Sequence, residues 1–397
     1  MSRLWDRGDP LDQRVLAYTA GEDHALDERL VAYDVRASIA HAEMLAAQGL
    51  LDGADLDAIR TALEQLAAEH ARGEWRIELA DEDVHTALEQ RLTDRIGAAG
   101  GRIHLGRSRN DQVLAALRLY LLDEVGALAA ATRRVSAALD ALAMAHAALA
   151  LPGYTHLQRA MPSTVPLWAG GFAAEIEDDA AGLDACRRRL DRNPLGSAAG
   201  YGTPGLPIDR DATRRALGFA EIHEPVTAVQ LSRGKAEAQV LFEITLLMAD
   251  LGRLSSDLVL FSSAEFGFVE LPVEMTTGSS IMPQKRNPDL FELVRGRGAT
   301  ALAALVEALA VPAKLPSGYH RDLQLLKAPL FRSLDLAGAT CDLLASTLPR
   351  VRFRVNRIEL GHELFAAERA HRLVIEEGIP FREAYRRVAR ELARGGR

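Results

Sequence analysis

Two segments of the sequence carry apolar residues at positions spaced alternately three and four residues apart. In residues 229–263 these positions are Val240, Ile244, Leu247, Leu251, Leu254, Leu258 and Phe261. In residues 111–149 they are Leu121, Val125, Leu128, Val135, Leu139 and Leu142, with the small Thr132 in the remaining position. This heptad spacing places one largely apolar stripe on a single helix face, as in bundles and coiled coils. A helix over 111–149 would be about 58 Å long, so we expect its stripe to be buried between subunits as well as within one.

The rest of the chain also favours helix, because Ala, Leu, Arg and Glu dominate and runs of β-branched residues are scarce. Further helices are predicted over residues 166–192, 289–313 and 321–348, which gives five for a central bundle. Gly and Pro residues cluster between these helices. The predicted fold class is therefore all-α, with a smaller helical domain over 1–106, a long-helix bundle over 107–348 and a short helical domain over 349–397.

Composition excludes several classes of protein. The 397 residues include 47 basic and 55 acidic side chains, and the net charge of −8 gives no general attraction for nucleic acid or anionic lipid. The N-terminus has charges where a signal peptide needs an apolar run, and no stretch reaches the roughly 18 apolar residues of a membrane span. The two cysteines, Cys186 and Cys341, do not form a disulfide framework. We therefore expect a soluble cytoplasmic protein without a nucleic-acid or membrane partner.

Sequence motifs for cofactors are missing as well. The chain has no Walker or GxGxxG loop, no HExxH motif and no GxSxG nucleophile elbow. No Cys/His spacing is typical of a metal site. We expect neither a metal nor an organic cofactor.

The segment HLGRSRNDQV, residues 104–113, precedes the first long helix. Gly106 frees the backbone, and Asn110 or Asp111 is suited to cap the helix. Arg107 and Arg109 would then place two guanidinium groups beside exposed backbone N–H groups, an arrangement that can hold a carboxylate or a phosphate. Taken alone, such a segment is more often an ordinary solvated helix start.

Two further polar segments contain candidate functional groups. His156 lies beside Thr155 in PGYTHLQRAMP, residues 152–162, and a histidine can exchange a proton near neutral pH. The segment SGYHRDLQLLK, residues 317–327, places Tyr319, Gln324 and Lys327 near the start of a helix. An ordinary surface histidine and an amphipathic helix with polar caps stay open as alternatives for these segments.

The segment GSSIMPQKRNPD, residues 278–289, is kept from being helix or strand by its glycine and two prolines. Asn287 can cap the next helix, and Pro288 fits its first position. The loop would bring Ser279 and Lys285 close to a helix N-terminus, where an anionic charge is stabilised. A serine can act as a base only if its alkoxide is stabilised in such a way. We also expect partial burial, because Ile281 and Met282 lie in the middle of the loop.

These segments together resemble the fumarase/aspartase superfamily. GSSIMPQKRNPD is similar to its signature loop, and HLGRSRNDQV with GYTHLQRA narrows the resemblance to the argininosuccinate lyase family. Their order and spacing match that family over residues ~14 to ~390. The resemblance implies a homotetramer whose long helices form a shared bundle, with each active site assembled from three subunits. It also implies cleavage of argininosuccinate to arginine and fumarate without cofactor or metal.

The resemblance also implies roles for individual residues. Ser279 would remove the proton β to the leaving nitrogen, and Lys285 and Asn287 with the helix N-terminus would hold the resulting aci-carboxylate. His156, oriented by Glu292, would act in the other proton transfer, at the leaving nitrogen. The remaining positions match substrate-binding residues: Ser108, Arg109, Asn110, Thr155, Asn287, Tyr319, Gln324 and Lys327.

The sequence departs from the family pattern at two positions. Leu105 replaces a threonine, and Asp23 stands where members usually carry a substrate-binding serine. An anionic Asp23 cannot accept a substrate carboxylate, so we expect it to face a cation such as an arginine, or the guanidinium end of the substrate. The chain also ends earlier after the bundle than is typical of the family. Alternatives are another member of the superfamily, such as an adenylosuccinate lyase or a cycloisomerase-like protein, and a catalytically silent relative kept as a stable oligomer.

Overall fold

The structure is a computed structural model that describes residues 12–395. Within that range α-helices make up most of the structure, and short strands occupy only a few connections. The α-helices are α1 (Gln13–Ala20), α2 (Asp23–Leu26), α3 (Val31–Ala47), α4 (Gly53–Ala71), α5 (Val84–Ile96), α6 (Ala98–Gly101), α7 (Arg109–Ala145), α8 (Val165–Leu190), α9 (Arg210–Leu217), α10 (Val226–Leu231), α11 (Lys235–Phe261), α12 (Asp289–Ala310), α13 (Lys327–Thr347), α14 (Ala366–Glu377) and α15 (Phe381–Gly395).

Six short strands pair two by two in the described residues. They are β1 (Ala150–Thr155), β2 (Gln158–Thr164), β3 (Arg192–Asn193), β4 (Glu221–Ile222), β5 (Val269–Glu270) and β6 (Arg352–Phe353). The pairs β1–β2 and β5–β6 are antiparallel, and β3–β4 is parallel. The predicted all-α class is confirmed, since these small sheets only connect helices.

The five predicted long helices appear as α7, α8, α11, α12 and α13. The largest differences are at two N-termini. Gly234, with φ +83°, separates α10 from α11, and a Cβ there would lie 2.7 Å from Pro312 Cγ. The left-handed backbone and the close approach of Pro312 explain why a glycine breaks the predicted helix at this point, so that α11 begins only at Lys235. Residues Arg321–Leu326 form a 3₁₀ helix, so α13 begins at Lys327.

The chain divides into two compact units. The first contains the described residues up to Ala129, together with Ala181–Thr245 and Ala299–Ala337. The second contains Ala130–Ala180, Leu246–Gly298 and the described residues from Gly338 onward. The three-part domain division at residues 106 and 348 stays a prediction. Within residues 12–395, no helix is both long and apolar enough to cross a membrane.

Each unit has its own apolar core. In the first unit Ala37 and Ala40 of α3 pack with Ala115 and Leu119 of α7, and Phe219 completes the cluster. In the second unit Trp168 stacks against aromatic rings, and its indole N–H donates to Asp257 at 2.9 Å. The rings around Trp168 belong to Phe172, Phe261 and Phe353. A further cluster joins α14 to α15 through Ala370, Ala384 and Val388.

The two heptad stripes are already buried within one chain. Leu247, Leu251 and Leu254 of α11 are fully buried, as are Val125 and Leu139 of α7. The expected burial within one chain is therefore confirmed, and these positions leave no area for a second subunit to cover. The faces that remain exposed lie elsewhere, and include Phe242 and Leu246 of α11.

Replacing a stripe residue tests this assignment. Leu251→Ala should lower the free energy of unfolding by about 2–5 kcal/mol, because truncating a fully buried leucine leaves a cavity. Met144→Ala on α7, where the side chain is 79% exposed, should change it by less than about 0.5 kcal/mol. Urea denaturation measures both. Equal losses for the two variants would show that the stripe is not the core.

Candidate active site

The start of α7 is fixed by a reciprocal pair of caps. Ser108 Oγ accepts a hydrogen bond from the N–H of Asn110 at 3.3 Å, and Asp111 Oδ1 accepts one from the N–H of Ser108 at 3.1 Å. This is the capping-box pattern, with aspartate in the place of glutamate. The predicted cap at Asn110 or Asp111 was wrong, because the hydroxyl of Ser108 is better placed to receive the first N–H groups.

Asp111 also joins two loops. Its Oδ2 accepts the N–H groups of Gly196 at 3.0 Å and of Ala198 at 2.8 Å, so residues 104–110 are tied to the loop after β3. The carboxyl is completely buried, and burial raises its pKa to about 6 although three N–H groups oppose that shift. Asp111 therefore positions the segment that holds Arg109 and Asn110.

A cleft in the first unit brings together five of the predicted site residues. They are Arg109, Asn110, Tyr319, Gln324 and Lys327. The same cleft is lined by residues that the sequence analysis did not assign to a site: Asp27, Asp83, His85, Val113 and Arg233. The cleft offers only about 30 Å³ to water-sized molecules, so it can receive one end group of a substrate rather than a whole one.

Lys327 lies at the base of this cleft. Its side chain is 2% exposed, and Nζ donates to Asp27 Oδ1 at 2.6 Å and lies 2.9 Å from Asp23 Oδ1. Burial alone would lower the pKa of Lys327, but the charges of Asp27 and Asp23 raise it. Lys327 therefore stays an ammonium, which suits binding rather than proton abstraction.

Asp23 faces a cation, as predicted, and the cation is a lysine. Burial raises the pKa of the Asp23 carboxyl to about 6; the charge of Lys327 opposes that shift, and Asp27 adds to it. The ammonium of Lys327 balances the charge of Asp23, which reduces the repulsion between Asp23 and a substrate carboxylate.

The predicted pair of anion-binding arginines does not form. Arg107 is buried, and its guanidinium donates to Ser38 Oγ at 2.8 Å. Arg109 reaches the cleft, but it lies 2.7 Å from Asp83 Oδ2 and 3.7 Å from Glu82 Oε2. The prediction failed because the sequence spacing of Arg107 and Arg109, at the irregular start of α7, does not determine where either side chain points. Only Arg109 therefore remains a candidate for substrate contact.

His85 was missed by the sequence analysis. Its Nδ1 lies 2.6 Å from Asp34 Oδ2, both side chains are buried, and Nε2 has no hydrogen-bond partner within residues 12–395. Burial would lower the pKa of His85, but the negative charge of Asp34 raises it. The run of acidic residues at 81–83 just before α5 was the available signal, since it brings Asp83 and His85 to one helix N-terminus.

The loop that contains Ser279 belongs to the second unit. Thr277 and Asn287 pair through two backbone hydrogen bonds of 3.1 and 2.9 Å, which close the base of the loop. Ser279 Oγ accepts the N–H groups of Ile281 at 3.4 Å and of Met282 at 3.2 Å. Lys285 is exposed, and its backbone N–H donates to the carbonyl of Met282. These contacts aim two N–H donors at the serine oxygen.

Three details of this loop differ from prediction. Ile281 is 82% exposed and Met282 is also exposed, so the expected partial burial was wrong for this chain alone. The helix α12 begins at Asp289, and the amide of Asn287 donates to Thr277 Oγ1 instead of capping the helix. The carbonyl of Pro288 accepts the first helical N–H groups. These choices depend on the Thr277–Asn287 pairing, which no local pattern indicates.

His156 lies at the tip of the β1–β2 hairpin. Thr155 pairs with Gln158, and the two residues between them, His156 and Leu157, have φ values of +53° and +57°. Such values are uncommon for residues other than glycine and tend to occur at functional sites. His156 is exposed, as is Glu292 in the first turn of α12, and within the described residues no hydrogen bond joins the two. The orientation of His156 by Glu292 stays a prediction.

No group of three or more His, Cys, Asp or Glu side chains in residues 12–395 is arranged to hold a metal ion. The cleft presents ammonium, guanidinium, carboxylate and imidazole groups, which can bind a zwitterionic ligand. The two loops separately present hydroxyl, ammonium and imidazole groups, which can exchange protons.

Comparison with known proteins places the chain among lyases. A family model described as lyase matches residues 8–302. The chain is 48% identical to the argininosuccinate lyase of Sorangium cellulosum, over 98% of this chain and 91% of that protein. It is 39% identical to the argininosuccinate lyase of Thermotoga neapolitana, over 99% of this chain and 98% of that protein.

Solved structures share the fold. An EDDS lyase in complex with formate superimposes with a TM-score of 0.82 and 26% identity, over 96% of this chain and 76% of that one. The class II fumarase of Schistosoma mansoni, at 17% identity, superimposes with a TM-score of 0.80 over 96% of this chain and 89% of that one.

The buried carboxyl of Asp23 predicts a pH dependence of stability. Its folded pKa is raised above the usual value, so the native state holds a proton that the unfolded chain releases as the pH rises from about 4 to about 6. Ionised Asp23 then destabilises the native state. Relative to Asp23→Asn, the free energy of unfolding of the wild type should fall by up to about 3 kcal/mol between pH 4 and pH 7.

Urea denaturation at several pH values measures this difference. Asp57→Asn removes an exposed carboxylate and controls for the change in net charge. The prediction would be contradicted if the free energies of unfolding of the wild type and Asp23→Asn differed by the same amount at every pH from 4 to 7.

Proposed function

The chain belongs to the argininosuccinate lyase family of the fumarase/aspartase superfamily, and we propose that it cleaves argininosuccinate to L-arginine and fumarate by β-elimination. One observation carries the proposal. In the segment GSSIMPQKRNPD of this family member, Ser279 Oγ accepts hydrogen bonds from two backbone N–H groups. The reaction needs no metal or organic cofactor.

Removal of the proton is the difficult part of this reaction. The proton lies next to a carboxylate and is weakly acidic, so most of the barrier comes from the charge of the carbanion. Ser279 acts as the base, and hydrogen bonds to its oxygen favour the anionic form. Lys285, Asn287 and the N-terminus of α12 stabilise the aci-carboxylate, because cations and N–H donors meet the charge where it develops.

Proton transfer at the leaving nitrogen is assigned to His156. The hairpin holds its backbone in a left-handed conformation at an exposed tip, which presents the imidazole to a substrate instead of to the protein interior. Glu292 orients the imidazole when the site is complete. Which of Ser279 and His156 is named the acid depends on the direction of the reaction.

Substrate binding is assigned to the cleft of the first unit and to further loop residues. The proposed set is Ser108, Arg109, Asn110, Thr155, Asn287, Tyr319, Gln324 and Lys327. Argininosuccinate carries carboxylates as well as a guanidinium and an ammonium group. Lys327 and Arg109 suit its carboxylates, whereas Asp27 and Asp83 suit its cationic groups.

We further propose a homotetramer with active sites shared between subunits. On α12, exposed apolar residues recur at heptad spacing: Ala299, Leu302, Ala303, Val306, Leu309 and Ala310. Exposed Phe242, Leu246 and Ala249 follow the same spacing on α11. A continuous apolar stripe of this kind is rare on a monomer and is typical of a surface that a partner covers. A second copy of the chain is the partner that the family resemblance implies.

A cytoplasmic location also belongs to the proposal. Cys186 and Cys341 are free and buried, and burial raises the pKa of each thiol to about 12. Protonated, buried thiols of this kind behave as small apolar side chains.

Formation of fumarate tests the function directly. Ultraviolet absorbance of fumarate should rise when argininosuccinate is added to the purified protein and should not rise with adenylosuccinate. The opposite result would assign the chain to another activity of the superfamily, and fumarate from neither substrate would favour a catalytically silent relative.

Ser279→Ala tests the proposed base. The variant should fold and bind substrate, because loss of a partly exposed hydroxyl leaves little cavity, while kcat falls to less than a tenth of the wild-type value. Ser280→Ala is the matched control, because Ser280 is the exposed neighbour in the same loop. The kcat of this variant should stay within about threefold of the wild-type value. A Ser279→Ala variant that keeps more than a tenth of kcat, a barrier change below about 1.4 kcal/mol, excludes Ser279 as the base.

A further inference from the structure

A second cavity in the first unit is strongly cationic. It is open to solvent and has a volume of about 630 Å³ between the end of α8 and the start of α11. Four basic residues line it, Arg188, Arg189, Arg192 and Lys235, against the single acidic residue Glu221. On a chain with a net charge of −8, this concentration of positive charge is a local exception that requires a physical reason.

Most of these cations are not neutralised. Arg188, Arg189 and Lys235 make no ion pair within the described residues, and Arg192 lies 3.7 Å from the exposed carboxylate of Glu221. The arginines at the end of α8 complement its dipole, as basic residues in a last turn usually do. That explanation does not extend to Lys235, which is the first residue of α11, where a cation meets the positive end of the helix.

A buried guanidinium lies directly behind the cavity wall. Arg118 is 1% exposed, and its NH2 donates to His223 Nδ1 at 2.9 Å and to Ser232 Oγ at 3.0 Å, two residues that line the cavity. All of its hydrogen-bond partners are neutral, and its Nε has none in the described residues. Buried charges are normally paired with an opposite charge. The charge of Glu237 acts on Arg118, but that carboxylate accepts its hydrogen bonds from Arg233 and from the N–H of Gly234. An anion in the cavity would give Arg118 a negatively charged partner.

His223 adds a neutral donor to this wall. Because its Nδ1 accepts the hydrogen bond from Arg118, the ring proton is on Nε2. Burial and the charges of Arg118 and Arg192 lower the pKa of His223 to about 3, so the imidazole stays neutral. The lining therefore offers several donors, while Glu221 contributes the only carboxylate.

We propose that this cavity binds a small molecule that carries a di- or triphosphate group. Guanidinium groups and a helix N-terminus are the donors that match phosphate oxygens. The excess of about three positive charges over Glu221 corresponds to the charge of such a group rather than to that of a single carboxylate. The volume exceeds that of a phosphate group alone, and the apolar side chains of Ala228, Leu231 and Ala236 provide a surface for the remainder of the molecule.

Calorimetric titration of the full-length protein with tripolyphosphate tests the proposal. The wild type should bind one equivalent per chain with a Kd below about 1 mM, and affinity should fall as salt is raised. The variant Arg188→Gln/Lys235→Gln should bind at least tenfold more weakly. The control Arg382→Gln/Arg386→Gln removes two exposed arginines of α15 and should bind like the wild type.

Three results would overturn the proposal. The first is absence of binding to the wild type at millimolar tripolyphosphate, and the second is equal affinity of the two double variants, which would indicate a general charge effect. The third is citrate binding as tightly as tripolyphosphate, because the site would then recognise carboxylates instead of phosphates. Melting curves establish that both double variants, which alter exposed side chains only, are folded.

Discussion

The buried ammonium of Lys327 is the interaction on which the first unit and its cleft depend. It joins the start of α13 to Asp23 and Asp27, about 300 residues earlier in the sequence. A buried charge is tolerated only when it is paired and hydrogen-bonded, and removal of one partner leaves the other uncompensated. The position of residues 23–27 is therefore fixed by a charge from the far end of the chain.

The same region is held by neighbouring contacts. Arg321 and Gln324 both donate to the carbonyl of Thr19, at 2.8 Å for one guanidinium nitrogen and 2.9 Å for the amide. These bonds position the residues just before Lys327. Since Arg109 is balanced in turn by Asp83, the cleft presents cations and carboxylates in similar number. A zwitterionic substrate fits this balance better than a simple dianion does.

The sequence predicted the long helices well, because heptad spacing reflects burial within one element and needs no knowledge of the fold. It also singled out about half of the residues that line the cleft, since Arg109, Asn110, Tyr319, Gln324 and Lys327 lie in unusual polar segments. It could not predict that Arg107 would turn inward to Ser38, or that Ser108 would cap α7. Such choices depend on contacts between distant segments. The carboxylates of Asp27 and Asp83 and the imidazole of His85, which also line the cleft, were missed for the same reason.

The cleft is the proposed site of substrate binding, and Ser279 and His156 on two exposed loops are the proposed residues for proton transfer. We propose that different chains of one oligomer supply these two catalytic residues. His156→Asn and Ser279→Ala proteins, each inactive, can be mixed, dissociated and reassembled, with hybrids identified by mass spectrometry. About a quarter of the sites should then carry neither substitution and regain activity, by the symmetry of random assembly. Simple mixing without dissociation should restore none. Confirmed hybrids that stay as inactive as their parents would contradict the claim, because both residues of a site would then come from one chain.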